Sequence, residues 1–378
     1  MNGSNKTKYR ILHTEWSDGW GGQERRIISE MAGMAERGHH MVLATRPQCQ
    51  IVKRAEQIGV PVVFVPMRGA FDLASTFALA RYLRRESIQV VNTHSGIDSW
   101  IGALAAKIAR TPVLVRTRHL NLPLRRNWLN FVHYLPDRLV SCGEVMRTHL
   151  VEGCGFPSEQ ICNIPTGIDF PKFLPSATRE RVRQGLGVVE STFLVLMVGI
   201  IRSVKRYEIA LKAFASFLEL FPNAHLMIVG DGPVREEMES LAKNLGISKS
   251  VTFAGYRENV PDLMASSDAF LLTSKSEGVP QVVTQALGLG LPVVATAVGG
   301  VPELIEHEKT GLLVPAEDPE AVKDALVRLA KDPVKAKQMG AEGKIRAHAR
   351  FSLNAMLNTT EHLLVELVGS KERTRDES

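Results

Sequence analysis

The sequence has few cysteines and lacks long hydrophobic runs. Its four cysteines, Cys49, Cys142, Cys154 and Cys162, have no C-x-x-C spacing, which favours incidental thiols in a reducing compartment over a disulfide or zinc framework. No apolar stretch reaches the length of a membrane-spanning helix. The N-terminal residues MNGSNKTKYR are polar and lead directly into a predicted strand, so we expect no signal peptide. These absences favour a cytoplasmic protein.

Two ligand-binding motifs are missing as well. The sequence has no D-x-D pair of the kind that holds a divalent ion against a diphosphate, and no His/Cys cluster with ligand spacing, so we expect no metal. The loop WSDGWGGQERR offers Gly19, Gly21 and Gly22 but not the third glycine of G-x-G-x-x-G, and Arg235 takes that position in GDGPVREE. A dehydrogenase that binds a dinucleotide is therefore not expected.

The chain is long and its charge is uneven. Its 378 residues, 44% hydrophobic and 23% charged, are enough for two α/β domains. Residues 1–175 carry 22 Lys and Arg against 14 Asp and Glu, whereas the rest carries 24 against 26. A basic first half indicates an anionic partner: a phosphorylated lipid, a membrane surface or a nucleic acid. A solvated helix face is the alternative explanation for the arginines behind this bias, which are Arg81, Arg84, Arg85, Arg116, Arg118, Arg125 and Arg126.

Short apolar runs alternate with helix-length amphipathic segments along the whole chain. Strands are predicted near 9–14, 41–45, 61–65, 88–93, 112–117, 138–141 and 161–164, and again near 192–198, 225–229, 250–253, 269–273, 292–295 and 311–314. This alternation predicts an α/β fold with two Rossmann-like domains that face each other across a cleft. The Pro- and Gly-rich stretch 165–191 is interpreted as the linker between domains over 1–175 and 176–351. A last helix is predicted over 352–370 and a disordered tail over 371–378.

The segment from Asp268 to Gly300, DAFLLTSKSEGVPQVVTQALGLGLPVVATAVGG, carries the strongest functional signal. A strand leads into a polar loop with Glu277, and Pro280 is expected at the first helical position, where its missing N–H costs nothing. Backbone N–H groups of Gly278 and Val279 and the helix dipole then lie at the carboxyl end of a parallel strand, where phosphates bind. A carboxylate does not bind phosphate, so Glu277 should face sugar hydroxyls. Phosphate donors beside a hydroxyl acceptor predict a nucleotide-sugar site.

Residues at the ends of other predicted strands are the remaining candidates. His94 in NTHSG and His119 in RTRHLN both follow strands; a hydrogen-bonded structural histidine is the alternative, and the polar loop favours a site role for His119. The glycine loop near the N-terminus permits close backbone approach to a ligand, or forms a plain tight turn. After the strand that ends at Val198, a glycine and three cations would bind a diphosphate whose charge grows as the sugar bond breaks, ordinary loop charge being the alternative. These four residues are Gly199, Arg202, Lys205 and Arg206.

These motifs resemble the family-4 retaining glycosyltransferases, which have the GT-B fold. The likeness runs through nearly the whole chain: GWGGQER, RTRH, VSCGE, IPTGID, VGDGP, FAGYRENVPDLMASSDAFLLTS and, most specifically, EGVPQVVTQALGLGLPVVATAVGGVPE. The family pattern in the last block is a pair of glutamates with seven residues between them. Glu277 matches the first, which the resemblance assigns to the donor sugar. Gln285 replaces the second, which grips the ribose hydroxyls; a glutamine still hydrogen-bonds but carries no charge.

The resemblance implies roles for further residues. Lys205 matches the phosphate-binding lysine of the family, and Arg202 can compensate for Ile200, which stands where the family often has an arginine. His119 falls on the histidine near the reacting sugar carbon. The loop that approaches the diphosphate corresponds to Gly21 and Gly22, and the position where the nucleotide base packs corresponds to Tyr256 and Arg257.

As the resemblance implies, the chain is a retaining hexosyl- or heptosyltransferase that needs no metal or other cofactor. Its C-terminal domain binds a UDP-, GDP- or ADP-linked sugar, and its N-terminal domain, onto which the last helix packs back, binds an anionic glycan or lipid-linked acceptor. The segments NTHSGIDSW and RTRHLN look most like enzymes of bacterial lipopolysaccharide core or polysaccharide assembly, which implies the inner membrane face and no nucleic acid. Two alternatives stay open: a GT-B enzyme of other chemistry, such as a sugar-nucleotide epimerase or a phosphorylase, and a non-catalytic sugar-nucleotide-binding subunit.

Overall fold

The computed structural model describes residues 7–119, 124 and 128–376. The chain divides into two compact units: unit 1 consists of Met1–Gly167 and Leu353–Ser378, and unit 2 of Ile168–Ser352. The boundary falls after Gly167, upstream of the one between 175 and 176 drawn from the sequence. Inside the stretch 165–191, interpreted as a linker, residues 179–185 form a helix of unit 2 whose cap, Thr178, accepts a hydrogen bond from the amide of Arg181.

Unit 1 contains a sheet of seven parallel strands in the order β3-β2-β1-β4-β5-β6-β7. The strands are β1 (Arg10–Glu15), β2 (His40–Thr45), β3 (Val62–Phe64), β4 (Val90–Thr93), β5 (Val113–Arg118), β6 (Arg138–Ser141) and β7 (Ile161–Asn163). The sequences of β1, β2, β4 and β5 are nearly continuous buried runs, as the centre of a parallel sheet covered on both faces requires. In the central register Ile11 lies opposite Met41 on one side and Val90 on the other.

Helices cover both faces of the unit 1 sheet. They are α1 (Gly22–Glu36), α2 (Ile51–Gln57), α3 (Leu73–Arg85), α4 (Gly96–Ala109), α5 (Glu144–Thr148) and, from the end of the chain, α14 (Leu353–Asp376). Side chains alternate along β1: Ile11 packs with residues of α1 and α14, whereas Leu12 packs with residues of α3 and α4. The unit therefore has two apolar cores, one on each side of the sheet.

Helix α14 packs against α1 in unit 1. Gly33 makes this approach close, because a Cβ there would lie 2.3 Å from Cδ1 of Leu357. Near the end of the helix, Nζ of Lys371 lies 2.8 Å from Oδ1 of Asp137. The prediction of a disordered tail over 371–378 is wrong for residues 371–376, which continue the helix, and residues 377 and 378 lie outside the described residues.

Unit 2 contains a sheet of six parallel strands in the order β10-β9-β8-β11-β12-β13. The strands are β8 (Leu194–Val198), β9 (His225–Val229), β10 (Val251–Gly255), β11 (Ala269–Leu272), β12 (Val293–Thr296) and β13 (Leu312–Val314). The helices are α6 (Arg179–Gly185), α7 (Tyr207–Leu220), α8 (Arg235–Asn244), α9 (Val260–Ser266), α10 (Gln281–Gly288), α11 (Val301–Leu304), α12 (Pro319–Lys331) and α13 (Pro333–Arg350). The prediction of two parallel-sheet α/β domains is confirmed.

Strand order brings particular loops together in each unit. In unit 1 the loops after β1 and β4 leave the same sheet edge side by side, and in unit 2 the loops after β8 and β11 do so. Such switch points in open parallel sheets are where ligand sites form. All four cysteines are free thiols. Within the described part of the chain, every helix is too short or too polar to cross a membrane.

Candidate functional site

An ion pair between the loops after β8 and β11 forms the centre of the unit 2 site. Nζ of Lys205 lies 2.6 Å from Oε1 of Glu277, and the hydroxyl of Ser274 donates to the same oxygen at 2.5 Å. The side chain of Lys205 is 23% exposed and that of Glu277 10%, so solvent reaches both. The sequence predicted both residues at a donor site, but it did not predict that they pair.

The backbone of the Lys205 loop is fixed by the end of β11. The hydroxyl of Thr273 donates to the carbonyl oxygens of Lys205 and Arg206 at 3.1 and 3.0 Å, and the amide of Lys275 donates to the carbonyl of Val204 at 2.9 Å. These bonds join two neighbouring loops at the switch point. They hold the Lys205 side chain opposite the loop that carries Glu277.

The Gly-Gly turn after β12 supports the Glu277 loop from its other side. Gly299 has a φ of +52°, and a Cβ there would lie 1.8 Å from the carbonyl oxygen of Glu277. The amide of Gly300 donates to the carbonyl of Gly278 at 2.8 Å. A side chain at Gly299 would therefore both strain the backbone and displace the loop that holds Glu277.

Helix α10 begins one residue later than the sequence predicted. Pro280 is the N-cap, with ψ of 110°, and the first helical residue is Gln281. An extended ψ at the proline lets the chain turn into the helix axis, so the proline precedes the helix instead of opening it. Gly278 is exposed and Val279 half-buried just before this turn, where the positive end of the helix dipole lies.

The residues predicted for the nucleoside lie on separate elements of unit 2. Gln285 is half-buried in the second turn of α10. Tyr256 follows β10 and is 71% exposed. Gly199 follows β8, and its carbonyl accepts a hydrogen bond from the hydroxyl of Tyr207 at 3.1 Å. Strands β8 and β10 belong to the same sheet, whose order places them on either side of β9.

The other predicted cations of unit 2 differ in their surroundings. Arg202 and Arg257 are exposed. Arg206, by contrast, pairs with the carboxylates of Glu208 and Glu317. These two carboxylates thus balance the charge of Arg206 within the fold. Arg202 lies at the start of the short 3-10 turn that ends at Lys205.

The unit 1 site is built on the glycine loop after β1. Gly21 is the N-cap of α1 and Gly22 its first residue, and both are exposed. Glu15, which the sequence analysis missed, ends β1 fully buried and organises this loop. Its carboxylate accepts hydrogen bonds from the amide of Ser17 at 2.7 Å and from the side chain of Gln23 at 2.6 Å. The sequence signal that could have identified Glu15 is a carboxylate at the carboxyl end of a predicted strand.

A second buried carboxylate fixes the neighbouring loop after β4. Asp98 accepts hydrogen bonds from the amides of His94 at 2.8 Å and Ser95 at 2.7 Å. Burial raises the pKa of Glu15 to about 8, and the negative charge of Asp98 adds to that rise. Glu15 therefore keeps its proton to a higher pH than an ordinary glutamate does.

Three histidines lie within hydrogen-bond distance of one another across β1, β4 and β5; we call them the histidine chain. Nδ1 of His13 lies 2.9 Å from Nε2 of His94, and Nδ1 of His94 lies 3.0 Å from Nε2 of His119. Burial lowers the pKa of His13 to about 3, and it lowers the pKa of His94 and His119 well below the ordinary value. All three rings are therefore neutral at neutral pH. The sequence favoured His119 over His94 and did not single out His13.

The described arginines behind the basic charge of the first half of the sequence fall into two groups, one buried and one exposed. Arg116 and Arg118 lie in β5 and are only 4% and 6% exposed, so the alternative of a solvated helix face is wrong for both. Burial lowers the pKa of Arg116 to about 9, and its guanidinium contacts the ring of His133. The exposed group belongs to α3 and consists of Arg81, Arg84 and Arg85. Arg125 and Arg126, and Asn121 in the loop after His119, lie outside the described residues.

Comparison with known proteins covers both units. Residues 20–171 match the family described as Glycosyltransferase Family 4, and residues 178–346 match Glycosyl transferases group 1. N-acetyl-alpha-D-glucosaminyl L-malate synthase of Bacillus anthracis is 29% identical over 354 residues, 89% of this chain and 91% of the relative. D-inositol 3-phosphate glycosyltransferase of Corynebacterium jeikeium is 32% identical over 322 residues, 78% of this chain and 76% of the relative.

Solved structures share the fold over nearly the whole chain. Alr3699/HepE of Anabaena in complex with UDP has a TM-score of 0.85 at 22% identity, covering 94% of this chain and 100% of its own. WaaG, a glycosyltransferase involved in lipopolysaccharide biosynthesis, has a TM-score of 0.68 at 20% identity, covering 94% and 99%. Two parallel-sheet units of this kind are the architecture of the GT-B fold. The chain belongs to the family 4 glycosyltransferases, as the sequence resemblance predicted.

Proposed function

We propose that this protein is a retaining glycosyltransferase whose unit 2 binds a nucleotide sugar and whose unit 1 binds an anionic acceptor. The observation that carries the proposal is the pair of Lys205 and Glu277, with 2.6 Å between Nζ and Oε1, at a parallel-sheet switch point. The ammonium of Lys205 binds the diphosphate. The carboxylate of Glu277 accepts hydrogen bonds from the sugar hydroxyls.

In the proposed reaction the acceptor hydroxyl oxygen bonds to the anomeric carbon on the face from which the diphosphate leaves. The bond between that carbon and the phosphate oxygen breaks, its electron pair stays with the nucleoside diphosphate, and the hydroxyl proton passes to the leaving phosphate. Lys205, Arg202 and the amides before α10 stabilise the growing negative charge, so the proposed mechanism requires no metal. We assign to His119, as a neutral ring, the role near the reacting sugar carbon that the sequence resemblance implies.

The donor and acceptor classes are proposed from charge and from the relatives. Tyr256 and Arg257 pack against the base, Gln285 binds the ribose, and the solved complex with UDP makes UDP-sugars the first donors to test before GDP- and ADP-sugars. The names of both relatives contain an anion, malate or inositol 3-phosphate. An anionic acceptor fits the excess of Lys and Arg in residues 1–175.

The exposed face of α3 supports a lipid-linked acceptor at an anionic cytoplasmic membrane surface, as in lipopolysaccharide core or polysaccharide assembly. Leu73, Phe77, Arg81 and Arg85 follow one another at four-residue spacing, and the two apolar side chains are 61% and 59% exposed. This pattern suits a helix at a lipid interface. Phe77→Ser should weaken sedimentation with anionic vesicles, and high salt should weaken it in the unchanged protein. Equal binding to neutral vesicles at all salt concentrations would reject the membrane part of the proposal.

A donor screen followed by a transfer assay tests the function itself. A nucleotide sugar at a hundred times its Kd raises the free energy of unfolding by about 2.7 kcal/mol, which a thermal-shift screen detects. Transfer to an acceptor that persists in EDTA, with the anomeric configuration retained by NMR, is expected. Epimerised donor, sugar phosphate as product, or donor binding without transfer over a broad acceptor panel would favour the epimerase, the phosphorylase or the non-catalytic subunit instead.

A further inference from the structure

The histidine chain continues inward from His13 to a buried ion pair on α1. Nε2 of His13 lies 3.9 Å from Oε1 of Glu30, and Oε2 of Glu30 lies 3.8 Å from Nε of Arg26. Arg26, Glu30 and His13 are 2%, 3% and 1% exposed. A continuous row of polar groups therefore runs from beneath the sheet to His119 at its carboxyl edge.

The number of protons in this row restricts how they are arranged. A neutral imidazole has one N–H and one lone pair, so His94 must donate through one nitrogen and accept through the other. If Nε2 of His94 donates to His13, then Nδ1 of His94 accepts from Nε2 of His119, and Nε2 of His13 carries its proton toward Glu30. The opposite arrangement turns a lone pair of His13 toward Glu30 and moves the proton of His119 to Nδ1.

The charge on Glu30 selects between these two arrangements. The buried guanidinium of Arg26 requires a balancing charge, and its other hydrogen-bond partners, the carbonyl of Ile164, the hydroxyl of Thr166 and the thiol of Cys142, are neutral. Glu30 is thus the carboxylate that balances this charge. Burial raises the pKa of Glu30 and Arg26 opposes that rise. An ionised Glu30 favours a proton, not a lone pair, on the facing nitrogen of His13.

We infer that His13 and His94 are positioning residues through which Glu30 holds the proton of His119 on Nε2 and leaves Nδ1 as a lone pair. The thiol of Cys142, 3.7 Å from this Nδ1, accepts a hydrogen bond from Arg26 and donates to the carbonyl of Arg118. The consequence for catalysis rests on the role proposed above for His119. Both arrangements leave the ring neutral, so it does not repel the positive charge that develops on the sugar carbon, and the fixed tautomer adds a single ring orientation.

Selective 15N-histidine labelling tests the inference without reference to activity. Two-bond 1H–15N correlation spectra distinguish a proton on Nε2 from one on Nδ1, and His119→Gln identifies the signals of His119 by their loss. The unchanged protein should show His13, His94 and His119 each protonated on Nε2. A proton on Nδ1 of His119 in the unchanged protein would overturn the inference.

Two variants should move the proton. In Glu30→Gln, Arg26 attracts the amide oxygen and leaves the NH2 group facing His13, so His119 should change to the Nδ1–H form. In His13→Asn, contact with Glu30 is lost and either the oxygen or the NH2 group of the amide can take the place of Nδ1, so His119 should show both forms. With a UDP-sugar, kcat should fall about tenfold in either variant while KM stays within about twofold, on the scale of other outer positioning contacts.

His39 offers a matched control on the same unit. It is 5% exposed, its Nδ1 accepts a hydrogen bond from the amide of Tyr9 at 3.2 Å, and its Nε2 lies 3.5 Å from Glu361. His39→Gln should lower the melting temperature without changing the His119 signals or kcat. His119 signals that stay unchanged in both Glu30→Gln and His13→Asn would reject the inference. Expected signals with no transfer activity would reject the proposed function alone.

Discussion

The two candidate sites occupy the same position in their units but differ in burial and charge. In unit 2, Lys205 and Glu277 are partly exposed and form an ion pair. In unit 1, His13 and His94 are almost completely buried and neutral. Both groups sit where neighbouring parallel strands end. The comparison teaches that one architecture supports two kinds of chemistry. The degree of burial decides whether the ionisable side chains are charged, as in unit 2, or neutral, as in unit 1.

Loss of the unit 2 cation should have the largest effect. Lys205→Ala removes the ammonium that we propose binds the leaving diphosphate, so kcat should fall on the order of a hundredfold or more, with an unchanged circular dichroism spectrum. Lys275→Ala is the control, because Lys275 lies in the neighbouring loop, is 56% exposed and pairs with Glu317. Steady-state kinetics with a UDP-sugar would measure both. Near-normal turnover in Lys205→Ala would mean that transfer does not need this cation. The contrast between a charged site in unit 2 and a neutral site in unit 1 would then have no functional meaning.

A change in the loop that supports Glu277 should come next. Gly299→Ala places a Cβ 1.8 Å from the carbonyl of Glu277 at a φ of +52°. We expect kcat to fall about tenfold and the free energy of unfolding to fall by about 1–3 kcal/mol, measured by urea titration. Gly246→Ala is the control: it has a φ of +73° with open space around it, so it should show the backbone strain alone. Equal turnover in the two variants would contradict the positioning role of the Gly-Gly turn.

The ion pair in unit 2 should compete with nucleotide binding. In Glu277→Gln the ammonium of Lys205 no longer faces a carboxylate at 2.6 Å, so UDP without a sugar should bind several-fold more tightly, on the scale of about 1 kcal/mol for a partly exposed pair. Transfer should fall in the same variant because the sugar hydroxyls would lose the hydrogen-bond acceptor that we propose for them. Calorimetry at low and high salt would show the gain shrinking as ionic strength rises. Weaker UDP binding by Glu277→Gln would refute the competition.

The smallest effect expected concerns stability and pH in unit 1. The pKa of Glu15 is about 8 in the folded protein against an ordinary 4.5, so the folded state binds more protons between these values. Its contribution to the free energy of unfolding is therefore fully present below about pH 4.5 and is lost as pH rises through about 8. Glu15→Gln removes this loss, so the melting temperature of the variant should rise relative to the unchanged protein between pH 5 and pH 8. A melting-temperature difference between the two proteins that does not change with pH would show that Glu15 is ionised over this whole pH range.

Much of the fold could be predicted because hydrophobic periodicity reports burial directly. Each strand predicted from the sequence is present, and buried runs such as RILHTE alternate with amphipathic helices. The helical state of residues 371–376 could not be predicted from their polar sequence, and the pairing of Lys371 with Asp137 joins residues far apart in the chain. Pro280 was placed one residue too far into its helix, because helix ends depend on local ψ.

The sequence singled out candidate site residues but not their arrangement. Position after a strand was enough to single out Lys205, Glu277 and His119. Their partners were not visible, because the pairing of Lys205 with Glu277 and of His13 with His94 depends on which strands are neighbours. Glu15 was missed because its importance comes from complete burial, which one carboxylate in a sequence does not reveal.

The return of α14 to unit 1 sets an order on how the chain folds during synthesis. Met356, Leu357 and Leu364 belong to the same apolar core as Ile27 and Met31, although more than three hundred residues separate the two helices. The ribosome makes all of unit 2 before it makes these side chains. The first unit to begin is therefore the last to be completed, and until the final helix emerges a nascent chain carries an open hydrophobic face that chaperones can bind.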